Sequence, residues 1–161
     1  DNLCVKAALA FQEASGIKEP VVITLLKKIP HGAGLGGGSS DAAAVLRGMN
    51  VLFKEPLVAE ELHALATSLG SDVPFFLQNK AVWCRGRGEI LSEAAPLPAW
   101  QFFLIKPPFS VDTAWAYSTL QSTGYRLQAQ NTIDGTLIFN DLEIPVFEKY
   151  LLLPVLKHWL Q

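Results

Sequence analysis

Five of the twelve glycines in this 161-residue chain, Gly32, Gly34, Gly36, Gly37 and Gly38, fall within seven consecutive residues. Glycine gives up more backbone freedom on folding than any other residue, so such a cluster persists only where bare backbone is needed. The stretch before it, Val21 to Ile29, is β-branched and apolar with Pro20 just ahead, which predicts a strand. After it, Ala42, Val45, Leu46, Met49, Leu52 and Phe53 recur at helical spacing, which predicts a helix from about Ser39 to Phe53. A strand, a glycine loop, Ser39-Ser40 and an amphipathic helix together suit an anion. Backbone N–H groups turn toward the ligand, and the positive end of the helix dipole favours phosphate.

Three phosphate motifs compete for this loop. The lysine-bearing form requires Gly-Lys-Ser/Thr, whereas Gly38 is followed by Ser39-Ser40-Asp41. The dinucleotide fingerprint G-x-G-x-x-G is formally met by Gly32, Gly34 and Gly37. It also needs a second parallel strand ending in an acid about twenty residues on. Glu55-Pro56 and then a helical pattern stand there instead. The third motif is the run Pro30-His31-Gly32-Ala33-Gly34-Leu35-Gly36-Gly37-Gly38-Ser39-Ser40-Asp41, which resembles the phosphate loop of the GHMP small-molecule kinases. Leu69-Gly70-Ser71-Asp72-Val73-Pro74-Phe75-Phe76 resembles a second motif of one branch of that family. The opening Asn2-Leu3 with Val5-Lys6-Ala7-Ala8, the Arg87-Gly88-Glu89 segment and Asn140-Asp141-Leu142-Glu143 fit the same branch.

The resemblance implies an α+β GHMP kinase fold. Residues 1–108 would belong to a ribosomal-protein-like ATP-binding domain, and residues 109–161 to the start of a ferredoxin-like second domain. It implies ATP and Mg²⁺ as cofactors. The implied acceptor is a small molecule, cytidine diphosphate-linked methylerythritol, phosphorylated on its 2-hydroxyl in the non-mevalonate isoprenoid pathway. Two rivals stand beside this: a GHMP kinase for homoserine, mevalonate or a sugar, and a nucleotide-binding segment without activity of its own.

Asp72 is implied to accept the proton of the acceptor hydroxyl or to orient that hydroxyl. Read from the residues alone, an aspartate two positions before a proline is equally a cap or turn former. The loop from Pro30 to Ser40 is implied to hold the nucleotide phosphates, with Ser40 near the metal ion. Ser39 and Ser40 also suit a helix N-cap. Lys27 is implied to flank the adenine with Asn2 and Leu3; otherwise Lys27 and Lys28 are solvated edge charges. Thr113 is implied to lie near the transferred phosphate, with a helix N-cap as the alternative. Asp41 reads as a first-turn acid favoured by the dipole, Arg85 and Arg87 as a solvated turn with a phosphate contact as the alternative, and Cys4 and Cys84 as packing residues.

The rest of the chain frames these motifs. Leu3, Ala7, Ala10, Phe11 and Ala14 form one helical face, with Asn2 to cap it and Gly16 to end it. Glu60 to Ser68 predicts a helix with Leu62, Leu65, Ala66 and Leu69 inward and Gly70 at its end. Ala81–Cys84 and Glu89–Leu91 read as short strands around a tight Arg85-Gly86-Arg87-Gly88 turn, and Gln101 to Ile105 as a further strand. Helices are predicted at Thr113–Leu120, Ile133–Phe139, Ile144–Tyr150 and from Leu153 on, while Tyr125 to Gln130 is aperiodic. The chain opens directly on a helical pattern and closes on a helix start without a terminator. Both ends are therefore expected to be cuts in a longer protein. The strands that carry the family's catalytic lysine and cytidine-binding residues, and its third glycine-rich motif, are expected outside these residues.

Composition excludes other classes. With 13 Lys+Arg against 15 Asp+Glu, the chain lacks the basic surplus of a nucleic-acid binder. No apolar run reaches the ~18 residues of a membrane span, and the first residues hold no signal-peptide core. Two cysteines make no disulfide framework or zinc spacing. The expectation is a soluble cytoplasmic enzyme with a small-molecule substrate, no nucleic-acid or membrane partner, and no obligatory protein partner.

Overall fold

A computed structural model describes residues 2–30, 32–123, 131–133, 136–138 and 140–160 of the chain, which divides into two units, Asp1–Ile105 and Lys106–Gln161. In the first unit, helix α1 spans Leu3–Ser15. The Asn2 side chain caps it by accepting from the Cys4 N–H at 2.9 Å, and Gly16 ends it in the left-handed region at φ 70°. Helix α2 spans Gly37–Leu52 and α3 spans Ala59–Leu69. A short helix, α4, covers Val73–Leu77.

The helices pack through small side chains. Ala7 on α1 and Ala42 and Ala43 on α2 are fully buried, and Phe11, Leu46, Met49, Leu57, Ala66 and Val73 complete the core. Phe11 stacks on Phe53 just past α2, with ring centroids 6.3 Å apart. Burying such side chains contributes on the order of 1.5–3 kcal/mol each for the larger ones.

The return from α2 to α3 is fixed by Asn50, the one buried polar residue among the described residues. Its amide nitrogen donates to the Leu57 carbonyl at 3.0 Å, and its side-chain oxygen accepts from the Leu57 N–H at 3.1 Å. Glu61 then accepts from the Val58 N–H at 2.9 Å and starts α3. Replacing Asn50 by Ala strands both Leu57 backbone groups out of water. The expected loss is about 2–6 kcal/mol, since each of the two unsatisfied buried groups costs about 1–3 kcal/mol. Chemical denaturation of the variant checks this.

Strands β1 (Val82–Arg85) and β2 (Ile90–Glu93) form an antiparallel hairpin with Arg85 opposite Ile90 and Val82 opposite Glu93. Lys80 pairs with Glu93 at 2.8 Å at its open end.

Two predicted strands are absent. Neither Val21–Ile29 nor Gln101–Ile105 is in a sheet, and Val22, Leu26, Phe102 and Phe103 are largely exposed. Propensity says only that these side chains suit a pleated surface; a strand also needs a neighbouring backbone to pair with. Among the described residues none pairs with either segment.

In the second unit, α5 (Thr113–Thr123) is capped by Asp112, whose Oδ1 accepts from the Trp115 N–H at 3.0 Å. The predicted helix at Ile133–Phe139 is instead a hairpin of β3 (Asn131–Ile133) and β4 (Thr136–Ile138), with Ile133 opposite Thr136. The intervening Asp134-Gly135 is a strong hairpin signal that outweighs the short apolar run. Helices α6 (Glu143–Lys149) and α7 (Leu152–Leu160) follow, joined by an ion pair between Lys157 and Glu143 at 2.5 Å. The aperiodic stretch Tyr125 to Gln130 lies outside the described residues.

Candidate functional site

Helix α2 begins two residues earlier than the pattern predicts, and its N-cap is Gly36, not a serine. Gly36 stands at φ 64°, in the left-handed region that favours glycine. The first bond of the helix runs from the Ser40 N–H to the Gly36 carbonyl at 2.9 Å. The amides of Gly37, Gly38 and Ser39 therefore belong to the opening turn, whose N–H groups have no acceptor within the helix. Ser39 and Ser40 are half-buried in that turn. Gly32 and Gly34 also adopt positive φ, at 65° and 70°, and the loop through Pro30, Gly32, Ala33, Gly34 and Leu35 wraps this helix end. His31 lies outside the described residues.

Side chains from two other segments close on the loop. A Cβ on Gly37 would stand 3.1 Å from Ile29 Cγ2 and 3.3 Å from Lys27 Nζ, and one on Gly38 would stand 3.6 Å from Leu3 Cδ1. Asn2, Leu3, Lys27 and the loop are thus brought together, although Asn2 uses its side-chain oxygen to cap α1. Lys27 is exposed, and its ammonium pairs with the Asp41 carboxylate. Asp41 in turn lies beyond the first turn of α2 and answers Lys27 rather than the dipole alone. Burial first, and Asp41 second, push the Cys4 thiol up from its ordinary pKa.

The second motif meets the first through Phe76. A Cβ on Gly36 would lie 2.6 Å from Phe76 Cζ and 2.7 Å from Cε2, so the ring of α4 presses directly on the bare backbone of the loop. Four residues before it, Asp72 occupies the N-cap position of α4 with its side chain making no capping bond. The carboxylate is exposed and has no hydrogen bond or ion pair among the described residues. An aspartate that neither caps nor pairs keeps both oxygens available for a ligand.

The β1–β2 hairpin, whose Arg87-Gly88-Glu89 segment fits the family in sequence, supplies a third element of the site. Gly88, at φ 124°, sits so close to the Asp72 turn that a Cβ there would be 3.2 Å from Asp72 Oδ1 and 3.3 Å from the Ser71 carbonyl. Cys84 is exposed rather than packed. Partial desolvation, and then the charge of Asp72, raise its thiol pKa, which puts β1 beside the same carboxylate. Only the spacing Gly86-x-Gly88 hinted that this turn is approached closely by other backbone.

Thr113, in the second unit, is the first residue of α5 and is exposed; Asp112 takes the capping role open to it in the sequence. Among the described residues no cluster of three His, Cys, Asp or Glu could hold a metal ion. Mg²⁺ in nucleotide sites is held by one or two protein groups and the phosphates, so the Ser40 hydroxyl in the loop fits such a role without a protein cage.

Known proteins resemble this chain throughout. The GHMP kinases N terminal domain matches residues 2–80. The 4-diphosphocytidyl-2-C-methyl-D-erythritol kinase of Methylacidiphilum infernorum is 48% identical over 99% of this chain and 57% of its own length. That of Thermodesulfovibrio yellowstonii is 39% identical over 93% of the chain and 58% of its length. A crystal structure of 4-(cytidine 5'-diphospho)-2C-methyl-D-erythritol kinase superposes with a TM-score of 0.74 at 36% identity, over 98% of this chain and 59% of the other. The chain thus spans a little under three-fifths of the length of these relatives.

Proposed function

We propose that this chain is a GHMP kinase and that it serves ATP-dependent phosphorylation of the 2-hydroxyl of 4-diphosphocytidyl-2-C-methyl-D-erythritol, a step of non-mevalonate isoprenoid synthesis. The observation that carries the reading is the contact of Phe76 with Gly36, which ties the phosphate loop to the turn bearing Asp72. Residues 1–108 act as the ATP-binding domain and residues 109–161 belong to the second domain.

Phosphoryl transfer asks little covalent work of a protein; positioning and charge stabilisation dominate. The amides of Gly37, Gly38 and Ser39 receive the phosphate oxygens, and the loop from Pro30 to Gly36 shapes the approach. Leu3 and Ile29 give the nucleotide an apolar wall, with Asn2 and Lys27 at its edge. Asp72 takes the proton of the acceptor hydroxyl, or holds that hydroxyl in line. Ser40, with the phosphates, would hold Mg²⁺, which would neutralise charge on the nucleotide. No helix among the described residues is long and apolar enough to cross a membrane.

Saturating ATP with Mg²⁺ should protect the amides of Gly34 to Ser40 from hydrogen exchange in the intact enzyme. Unchanged exchange there would remove the loop from the nucleotide site. Acceptor choice is tested by comparing the cytidine diphosphate-linked acceptor with homoserine, mevalonate and galactose in a phosphotransfer assay. Turnover with one of the latter alone would overturn the substrate named here.

A further inference from the structure

We propose that Asp41 is a positioning residue of the nucleotide site: through its ion pair it holds the Lys27 ammonium over the opening turn of α2, where a bound phosphate meets it. This rests on the reading of the loop as an ATP site given above. Lys27 precedes Pro30 and Asp41 follows Ser40, so the pair ties the two ends of the glycine loop together. A Cβ on Gly37 would stand 3.3 Å from Lys27 Nζ, which places the ammonium at the first residue of the helix.

The helix makes this pairing possible. Gly37 and Asp41 stand in the i, i+4 relation on α2, so both lie on one face, a turn apart. One ammonium therefore reaches the Asp41 carboxylate while it covers the bare backbone of Gly37. Ile29 Cγ2, 3.1 Å from the same notional Cβ, packs beside it. The Cys4 thiol on α1 registers both charges: after burial, which raises its pKa most, Asp41 raises it further and Lys27 lowers it. The pair thus stands between the start of α1 and the start of α2.

Electrostatics gives the carboxylate its task. The unpaired N–H groups of the opening turn carry about half a positive charge at that helix end. Before an anion arrives, an ammonium there is repelled by the turn, and a lysine stem left to itself swings into water. Asp41 offsets the repulsion and fixes the stem. A phosphate received by the Gly37, Gly38 and Ser39 amides then finds the cation already in place, and a site ordered in advance binds more tightly. Without Lys27 the same carboxylate does the opposite, since it lies one helical turn from the phosphates and repels them. Asp41 therefore favours the nucleotide only through Lys27, and the sign of its effect depends on that residue.

The test is a double-mutant cycle in the intact enzyme, with Asp41→Asn, Lys27→Met and the two combined, read as Kd for ATP with Mg²⁺ and as KM and kcat. Lys27→Met should weaken ATP ~10–100-fold, the worth of one charge-assisted hydrogen bond. Asp41→Asn alone should weaken it ~2–5-fold, the worth of an exposed ion pair, with the loss in Kd and KM and not in kcat. In the Lys27→Met background the same change should tighten ATP ~2–5-fold, because only the repulsion remains. A carboxylate that merely supports the fold gives a loss in both backgrounds. Asp41→Glu should recover part of the single loss, and Lys28→Met should bind ATP as the wild type does. No loss in Asp41→Asn, a loss of the same sign in both backgrounds, or a loss in Lys28→Met equal to that in Lys27→Met overturns the assignment, while ATP binding by the wild type leaves the functional reading standing. A wild type that does not bind ATP overturns the reading of the loop, and the assignment of Asp41 with it.

Discussion

Replacing Asp72 by Asn should lower kcat ~10²–10⁴-fold, the usual worth of a positioned general base, while affinity for ATP stays within a few-fold. The change keeps the shape of the side chain and removes its charge. Asp72 makes no capping bond to α4 and no ion pair, so the variant loses no interaction that holds the fold. Its melting temperature should match that of the wild type. A turn-forming role predicts the reverse, a loss of stability with near-normal kcat, and steady-state kinetics beside a thermal melt separate the two. Near-normal turnover in Asp72→Asn would return this residue to the part of a turn former.

Gly36→Ala should be the most damaging single change in the loop. A non-glycine residue in the left-handed region costs about 1–2 kcal/mol. The added methyl would also stand 2.6 Å from Phe76 Cζ, and overpacking of this kind costs about 1–3 kcal/mol. Together a loss of about 2–5 kcal/mol is expected, with ATP binding lost as the loop and the Asp72 turn are pushed apart. Gly34→Ala provides the contrast, since φ there is 70° but nothing lies within 4 Å of the new methyl. It should show only the backbone part of the loss. Adding Phe76→Leu to Gly36→Ala should restore the packing part and leave the rest. Equal losses in Gly34→Ala and Gly36→Ala would mean that the ring is not what confines the loop.

The local signals that survived into three dimensions are those whose cause is itself local. Asn2 and Gly16 delimit α1 because a side-chain acceptor and a left-handed glycine act within one turn of their own backbone. The Arg85-Gly86-Arg87-Gly88 turn and the register of β1 against β2 follow from neighbouring residues in the same way. The glycine cluster announced bare backbone, and Gly32, Gly34 and Gly36 do stand at positive φ. Asp134-Gly135 is a hairpin signal of the same kind, and the flanking segments pair as β3 and β4.

What tertiary structure alone decided depends on partners far apart in sequence. Val21–Ile29 has the side chains of a strand, yet pairing is a property of two segments and one sequence run cannot supply it. Gly36, not Ser39, caps α2 because the ring of Phe76, forty residues on, occupies the space that a side chain would need. Lys27 is fixed by Asp41 across the loop, and Gly88 is bare because Asp72 and Ser71 press on it. Composition and spacing showed which chemistry the chain could hold. Long-range packing chose which atoms meet, because excluded volume and charge pairing act through space and not along the chain.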